Sequence, residues 1–295
     1  MSETEPTVVV LTALPSEYAA VRAHIPDAEE RVHEKGTFVE WGRLPDSPWQ
    51  VAIAELGPGA LNAASLTERI VNWLCPEVLL FVGVAGSLKR DDIKIGDVVV
   101  GTKVYSVHGG KQTREGFLVR PEAWHSSHRL EQAARFALRG KAHLKPIAVG
   151  DVVLADAKSD IAEYLHKNYN DAAAIEMEGS GVVHAAHLSG QLDALVIRGI
   201  SDYADAKKAK ADASGTQPKA ADAAAAAAVA ILRKHRPARA ARSETPAASA
   251  ASDDSREGPF PRPQYGGDHL DFRGSTFSGP FTAKKVVRGQ DEDAT

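Results

Sequence analysis

Four acids stand where this chain could do proton chemistry. Glu17 follows a β-branched run, Glu176 and Glu178 flank Met177 at the start of an apolar helical stretch, and Asp202 closes another β-branched run. Carboxylates gathered in one place can do general acid and base work, one giving a proton while another takes one. Each acid also has a purely structural reading. Glu17 suits the positive end of a first helix, and Asp202 suits a cap. Spacing alone leaves both readings open.

Other chemistries lack their residues. No Gly-x-Gly-x-x-Gly follows a strand, no Walker-type lysine loop is present, and no Gly-x-Ser-x-Gly elbow occurs. Cys75 precedes Pro76 at the end of a helical pattern and reads as a small buried apolar group rather than a nucleophile. His184 and His187 lie three apart without a third ligand motif, so they read as solvated or packed side chains. Neither a metal nor an organic cofactor is expected.

The acids must be positioned by the apolar runs around them. Thr7–Leu14, Gln50–Leu56, Val78–Ala85, Asp97–Val104, Ile147–Leu154 and Leu195–Ser201 are nearly continuous in Val, Ile and Leu, as in strands covered on both faces. Thr37–Leu44 alternates more and reads as an edge strand. Helical patterns fall between them: Pro15 suits a first helical turn, and Gly59–Leu74, Met177–Leu188 and Lys219–His235 carry helical apolar spacing. Strands alternating with helices predict a three-layer α/β domain. In such sheets ligands collect beyond the carboxyl ends of strands, where the four acids could share one pocket.

The bulk numbers narrow the class. A net charge of −4 over 295 residues gives no positive field to gather nucleic-acid backbones. One cysteine excludes an intramolecular disulfide framework. The opening MSETEPT is acidic and polar, and no apolar run approaches a bilayer span, so a soluble cytoplasmic protein is expected. After His235 the composition changes. Residues 236–265 are rich in Ala, Pro, Arg and Ser and read as a linker, and residues 266–295 as a separate short β-prone module.

Several strings resemble one family. Ala174-Ile-Glu-Met-Glu-Gly179, followed by Val196-Ile-Arg-Gly-Ile-Ser-Asp202, resembles the paired signature of methylthioadenosine/S-adenosylhomocysteine nucleosidases and their phosphorylase relatives. Thr12-Ala-Leu-Pro-Ser-Glu17 resembles that superfamily's first strand-to-helix turn. Phe81-Val-Gly-Val-Ala-Gly86 with Ile95-Gly-Asp-Val-Val99 resembles its central glycine strand, and Gly150-Asp-Val-Val-Leu154 the segment that packs on the purine. These matches occur in family order across residues 7 to about 235. The resemblance implies an αβα sandwich with a central mixed sheet, a homo-oligomer and release of adenine from a nucleoside or nucleotide.

It also implies roles. Asp202 would be the general acid at purine N7, a role that requires a proton near neutral pH, and Ser201 would be a substrate-binding residue. Glu17 would orient and deprotonate the water, with Arg198 helping to position it. Glu178 would accept the ribose hydroxyls, Met177 would lie on the sugar face, and Glu176 would be a further substrate-binding residue. Backbone near Val153 and Leu154 would read the base edge, while Gly83, Ala85 and Gly86 would let the chain approach the ligand. A carboxylate at position 17 goes with water attack, since it would repel incoming phosphate. A phosphorylase and a non-catalytic nucleoside-binding module are the rival readings.

The strings depart from the nucleosidase pattern at three points. Leu56 stands where a polar residue is expected near the water, and Val153 where a purine-facing aromatic is expected. Beyond Asp202 come Lys207, Lys208 and Lys210, which read either as a solvated loop or as contacts for a 5′-phosphate. Gly267–Pro280 resembles short prion-like signalling motifs of immune-type proteins, which implies an upstream sensor that clusters the chain. A disordered tail with incidental Phe residues is the alternative.

Overall fold

The computed structural model describes residues 5–237 apart from 153, 155, 157, 191, 206–210 and 212. The tail module and nearly all of the expected linker lie outside the described residues. In chain order the elements are β1 (Thr7–Thr12), α1 (Pro15–Arg22), β2 (Glu29–Val32), β3 (Phe38–Arg43), β4 (Gln50–Glu55), α2 (Ala60–Leu74) and β5 (Val78–Ser87). They continue with β6 (Val98–Ser106), β7 (Gly110–Thr113), β8 (Gly116–Val119), β9 (Glu122–His125), α3 (His128–Ala137) and β10 (His143–Val149). The last are α4 (Asp160–Asn168), β11 (Ala174–Glu176), α5 (Gly179–Leu188), β12 (Asp193–Asp202) and α6 (Thr216–Lys234).

A mixed ten-stranded sheet runs in the order β11-β10-β6-β12-β5-β1-β4-β3-β2, with β9 added beside β6. Strands β4, β1, β5 and β12 are mutually parallel, so their carboxyl ends share one edge. Short β11 pairs with β10 and also antiparallel with the end of β5, through Ala174 opposite Ser87 and Ile175 opposite Gly86. That second pairing closes β5, β12, β6, β10 and β11 into a ring and delivers Glu176 to the carboxyl end of β5.

Alternation along the central strands explains their continuous apolar runs. Val8 and Val10 pack with α1, α3 and α6 on one face, whereas Val9 and Leu11 pack with α2 and α5 on the other. Both faces are covered, giving the expected three layers. Among the described residues no helix is long and apolar enough to cross a membrane.

Three details differ from the sequence reading. Residues 38–43 form no edge, because β3 pairs with β4 on one side and β2 on the other. The edge is β2, whose Glu-Glu-Arg-Val is exposed throughout and has no alternation to reveal it. Charged side chains are a usual protection for such an edge. The run expected to continue to Leu154 leaves the sheet after Val149, where Gly150 and Asp151 turn the chain out. Cys75 is exposed, because it ends α2 in the left-handed region at φ 45° and the chain leaves the core there.

Close helix–sheet contact depends on Gly199. A Cβ there would run into the backbone carbonyl of Ala220 on α6. Replacing Gly199 with alanine is expected to lower stability by about 1–3 kcal/mol, as overpacking generally does. A urea midpoint equal to that of the parent protein would contradict this packing.

Candidate active site

The carboxyl ends of β1, β5 and β12 and the turn after β11 meet around a cavity of about 250 Å³. Pro15 starts α1 immediately after β1, which places Glu17 in the first helical turn. Its Oε2 accepts the N–H groups of Ala13 (2.8 Å) and Leu14 (3.0 Å), so it caps the helix. Its Oε1 reaches across to the N–H of Val84 on β5 at 2.7 Å. The capping reading and the site reading of Glu17 therefore describe one and the same placement. Burial pushes its carboxyl above the ordinary carboxylate range, against the opposing pull of Arg198 and the three N–H donors.

Arg198 lies on β12 and is only 1% exposed. Its Nη2 bonds Glu176 Oε2 at 2.7 Å, and its guanidinium lies 3.8 Å from the centre of the Phe81 ring. Glu176 accepts the N–H of Gly179 on Oε1 and that of Glu178 on Oε2, which pins the turn between β11 and α5. Glu178 Oε1 in turn accepts the N–H of Gly59 at 3.1 Å. Gly59 caps α2 at φ 100°, a conformation that favours glycine. Burial raises the Glu178 carboxyl, and the neighbouring charge of Glu176 adds to it.

The opposite wall comes from a bulge. The register of β12 against β5 slips between Ile200 and Asp202, which brings Asp202 opposite Gly86. Bulges re-aim side chains at strand ends, and here the carboxyl turns into the cavity. Asp202 Oδ1 accepts the N–H of Ala204 at 2.8 Å and Oδ2 the hydroxyl of Ser201 at 2.9 Å. Ala204 itself is held at φ 50°. The glycines leave the necessary room. A Cβ on Gly86 would lie 2.9 Å from Asp202 Oδ1, and one on Gly83 would strike both Glu17 and Arg198.

The structure thus brings Glu17, Ala85, Gly86, Leu154, Glu176, Met177, Glu178, Ser201 and Asp202 together as cavity lining. Arg198 and Gly83 do not line it and stand behind the acids instead. Val153 lies outside the described residues. Leu56 is buried in the core on the α2 face. The sequence reading did not single out Leu14, Pro58, Val84, Ile175, Ala204 and Gln217, which also line the cavity. Val84 was legible from its glycine-rich neighbours. Gln217 was not, because only the start of α6 brings it across. His184 and His187 are both exposed. Among the described residues no group of three or more His, Cys, Asp or Glu side chains is placed to hold a metal ion.

The family described as Phosphorylase superfamily matches residues 7–233, from the start of β1 to the last turn of α6. The chain belongs to the phosphorylase superfamily. A 5′-methylthioadenosine/S-adenosylhomocysteine nucleosidase of Chromohalobacter salexigens is 26% identical over 206 residues, covering 67% of this chain and 84% of that protein. The ATP nucleosidase Cap17 of Escherichia coli is 26% identical over 249 residues, covering 69% of this chain but only 47% of Cap17. The crystal structure of the nucleosidase from Neisseria meningitidis with methylthio-immucillin-A shares the fold, with a TM-score of 0.67 at 24% identity over 77% of this chain and 98% of that one.

Removing one partner of a buried ion pair leaves a charge without its counter-ion, which costs about 3–5 kcal/mol. Arg198→Met is expected to lose that much stability, and Arg198→Met/Glu176→Gln to recover part of it, because the stranded charge is gone. Urea denaturation of the two single variants and the double variant checks this. Strictly additive losses would contradict a direct coupling.

Proposed function

We propose that the cavity hydrolyses the N-glycosidic bond of an adenine nucleoside or nucleotide and releases adenine. One observation carries the choice of reaction. Among the described residues that line the cavity there are four carboxylates and no Lys, Arg or His side chain. Such a surface attracts the positive charge that builds on a ribose as its glycosidic bond breaks, and it repels an attacking phosphate. The similarity to nucleosidases supports the same reading.

Each residue has a task in that reaction. Asp202 donates a hydrogen bond or a proton to purine N7, and the Ala204 N–H and the Ser201 hydroxyl fix its direction. Glu178 accepts the ribose hydroxyls with the oxygen not bonded to Gly59. Met177 covers the sugar, and the backbone of Ala85, Gly86 and Leu154 borders the base. Glu17 takes the proton of the attacking water. Arg198 acts through its neighbours, holding Glu176 and moderating the charge of Glu17. The bond from C1′ to nitrogen breaks, a bond from C1′ to water oxygen forms, and the water proton passes to Glu17 while N7 receives its own from Asp202.

The proposal extends to the rest of the chain. A catalytic domain over residues 1–235 precedes a linker over 236–265 and the tail motif over 266–295, which recruits an upstream sensor in the cytoplasm and makes the enzyme an effector. A homo-oligomer formed through the catalytic domain belongs to the same proposal.

The test is adenine release by purified full-length protein from adenosine, methylthioadenosine, S-adenosylhomocysteine and ATP. At least one substrate is expected to turn over, and Asp202→Asn to lower its kcat by about 100-fold or more, within the range general acids supply. Because the base must be ionised and burial raises Glu17, kcat/KM is expected to fall on the acid side at a higher pH than an ordinary glutamate would give. Full activity in Asp202→Asn, or no release from any substrate, would overturn the assignment. The second result would favour a nucleoside-binding module.

A further inference from the structure

Leu154 and Ala204 line the candidate active site from one side and a second cavity of about 260 Å³ from the other. The two cavities are nearly equal in size and opposite in character. The first is lined by carboxylates. The second has an apolar floor, with Leu88, Leu165 and Ala172, and a mouth carrying Lys89, Arg90 and His166. Leu165 and Ala172 are buried, so the floor is part of the folded core around α4 and not a surface dimple.

The mouth holds more positive than negative charge. Lys89 Nζ donates to the carbonyl of Asn170 at 2.5 Å, which fixes its ammonium without neutralising it. Arg90 Nη1 lies 3.3 Å from Asp205 Oδ2, and its guanidinium sits 4.9 Å from the centre of the Tyr203 ring. Asp205 is the one carboxylate among the described lining residues, against two full cations and a histidine. Asp91 and Asp92 follow in the chain but do not line the cavity.

An apolar floor receives a ring, and neighbouring cations at a mouth receive an anionic group on that ring through charge-assisted hydrogen bonds. We propose that this second cavity binds a small organic anion, a flat aromatic or heteroaromatic ring bearing one acidic group, at a site distinct from the active site.

The wall shared by the two cavities gives such a ligand a route to the reaction. Tyr203 and Asp205 engage Arg90, and between them the N–H of Ala204 orients Asp202. An anion that draws Arg90 from Asp205 alters the segment that aims the catalytic acid. By linkage, the ring-bearing anion and adenine then change each other's affinity by the same factor. This coupling rests on the adenine-releasing reading, whereas binding in the second cavity does not.

Isothermal titration calorimetry of the full chain tests the site, with phenyl phosphate as the ring-bearing anion and inorganic phosphate as the anion alone. One phenyl phosphate per chain is expected, still bound when adenine is saturating, and inorganic phosphate about tenfold weaker or more. Lys89→Gln/Arg90→Gln is expected to weaken phenyl phosphate by about tenfold or more, and His166→Gln by about threefold. Arg90 and His166 are exposed and Lys89 is half-buried at the rim, so both variants should fold. Absence of binding, one-for-one displacement by adenine, equal affinity for inorganic phosphate, or unchanged affinity in both variants would each overturn the proposal. Phenyl phosphate binding without adenine binding would count against the reading of the active site and leave this one standing.

Discussion

Arg198 and Glu176 form an ion pair almost wholly removed from water, and Glu17, Glu178 and Asp202 crowd the same edge of the sheet. Burying several carboxylates together is costly, since each loses hydration and each repels the others. The guanidinium offsets part of that cost for Glu176 directly and for Glu17 and Glu178 through its field. Backbone N–H groups offset more of it, with three on Glu17, two on Glu176 and one each on Glu178 and Asp202. Burial still holds the Glu17 and Glu178 carboxyls above the ordinary carboxylate range. A site in this condition is ready to favour a cation, and the ribosyl group becomes cationic as the glycosidic bond breaks.

The fold serves this arrangement through close approach. Gly83 lets the guanidinium and the Glu17 carboxylate press against β5, and Gly199 lets α6 press against β12 from the other face. The bulge at the end of β12 turns Asp202 toward the same space. Backbone contacts of this kind tolerate little adjustment, because packed interiors leave few voids. The chemistry and the packing therefore constrain the same few positions.

Much of the plan is legible in the amino-acid order. The continuous Val, Ile and Leu runs revealed the central strands because both faces of the sheet are covered. The strings around Glu17, Glu176, Glu178 and Asp202 pointed to a common pocket. What escaped depends on distant contacts. Strand β2 is charged and exposed and owes its conformation to β3 beside it. Short β11 is defined by pairing with both β10 and β5, which three residues cannot announce. Arg198 stands behind Glu176 and outside the cavity lining, and no local pattern tells which side of a buried ion pair faces a cavity. Cys75 looked apolar by its neighbours, yet the left-handed end of α2 carries it outward.

Hydrolysis rather than phosphorolysis is the central claim, and the identity of the sugar product tests it most directly. With adenosine, or whichever adenine compound turns over, the reaction would be run in phosphate-free buffer and again in phosphate, with the sugar followed by phosphorus and proton NMR. The acidic cavity predicts equal adenine release in both buffers, free sugar as the only sugar product and no sugar 1-phosphate signal. Turnover that requires phosphate and yields the sugar 1-phosphate would contradict it.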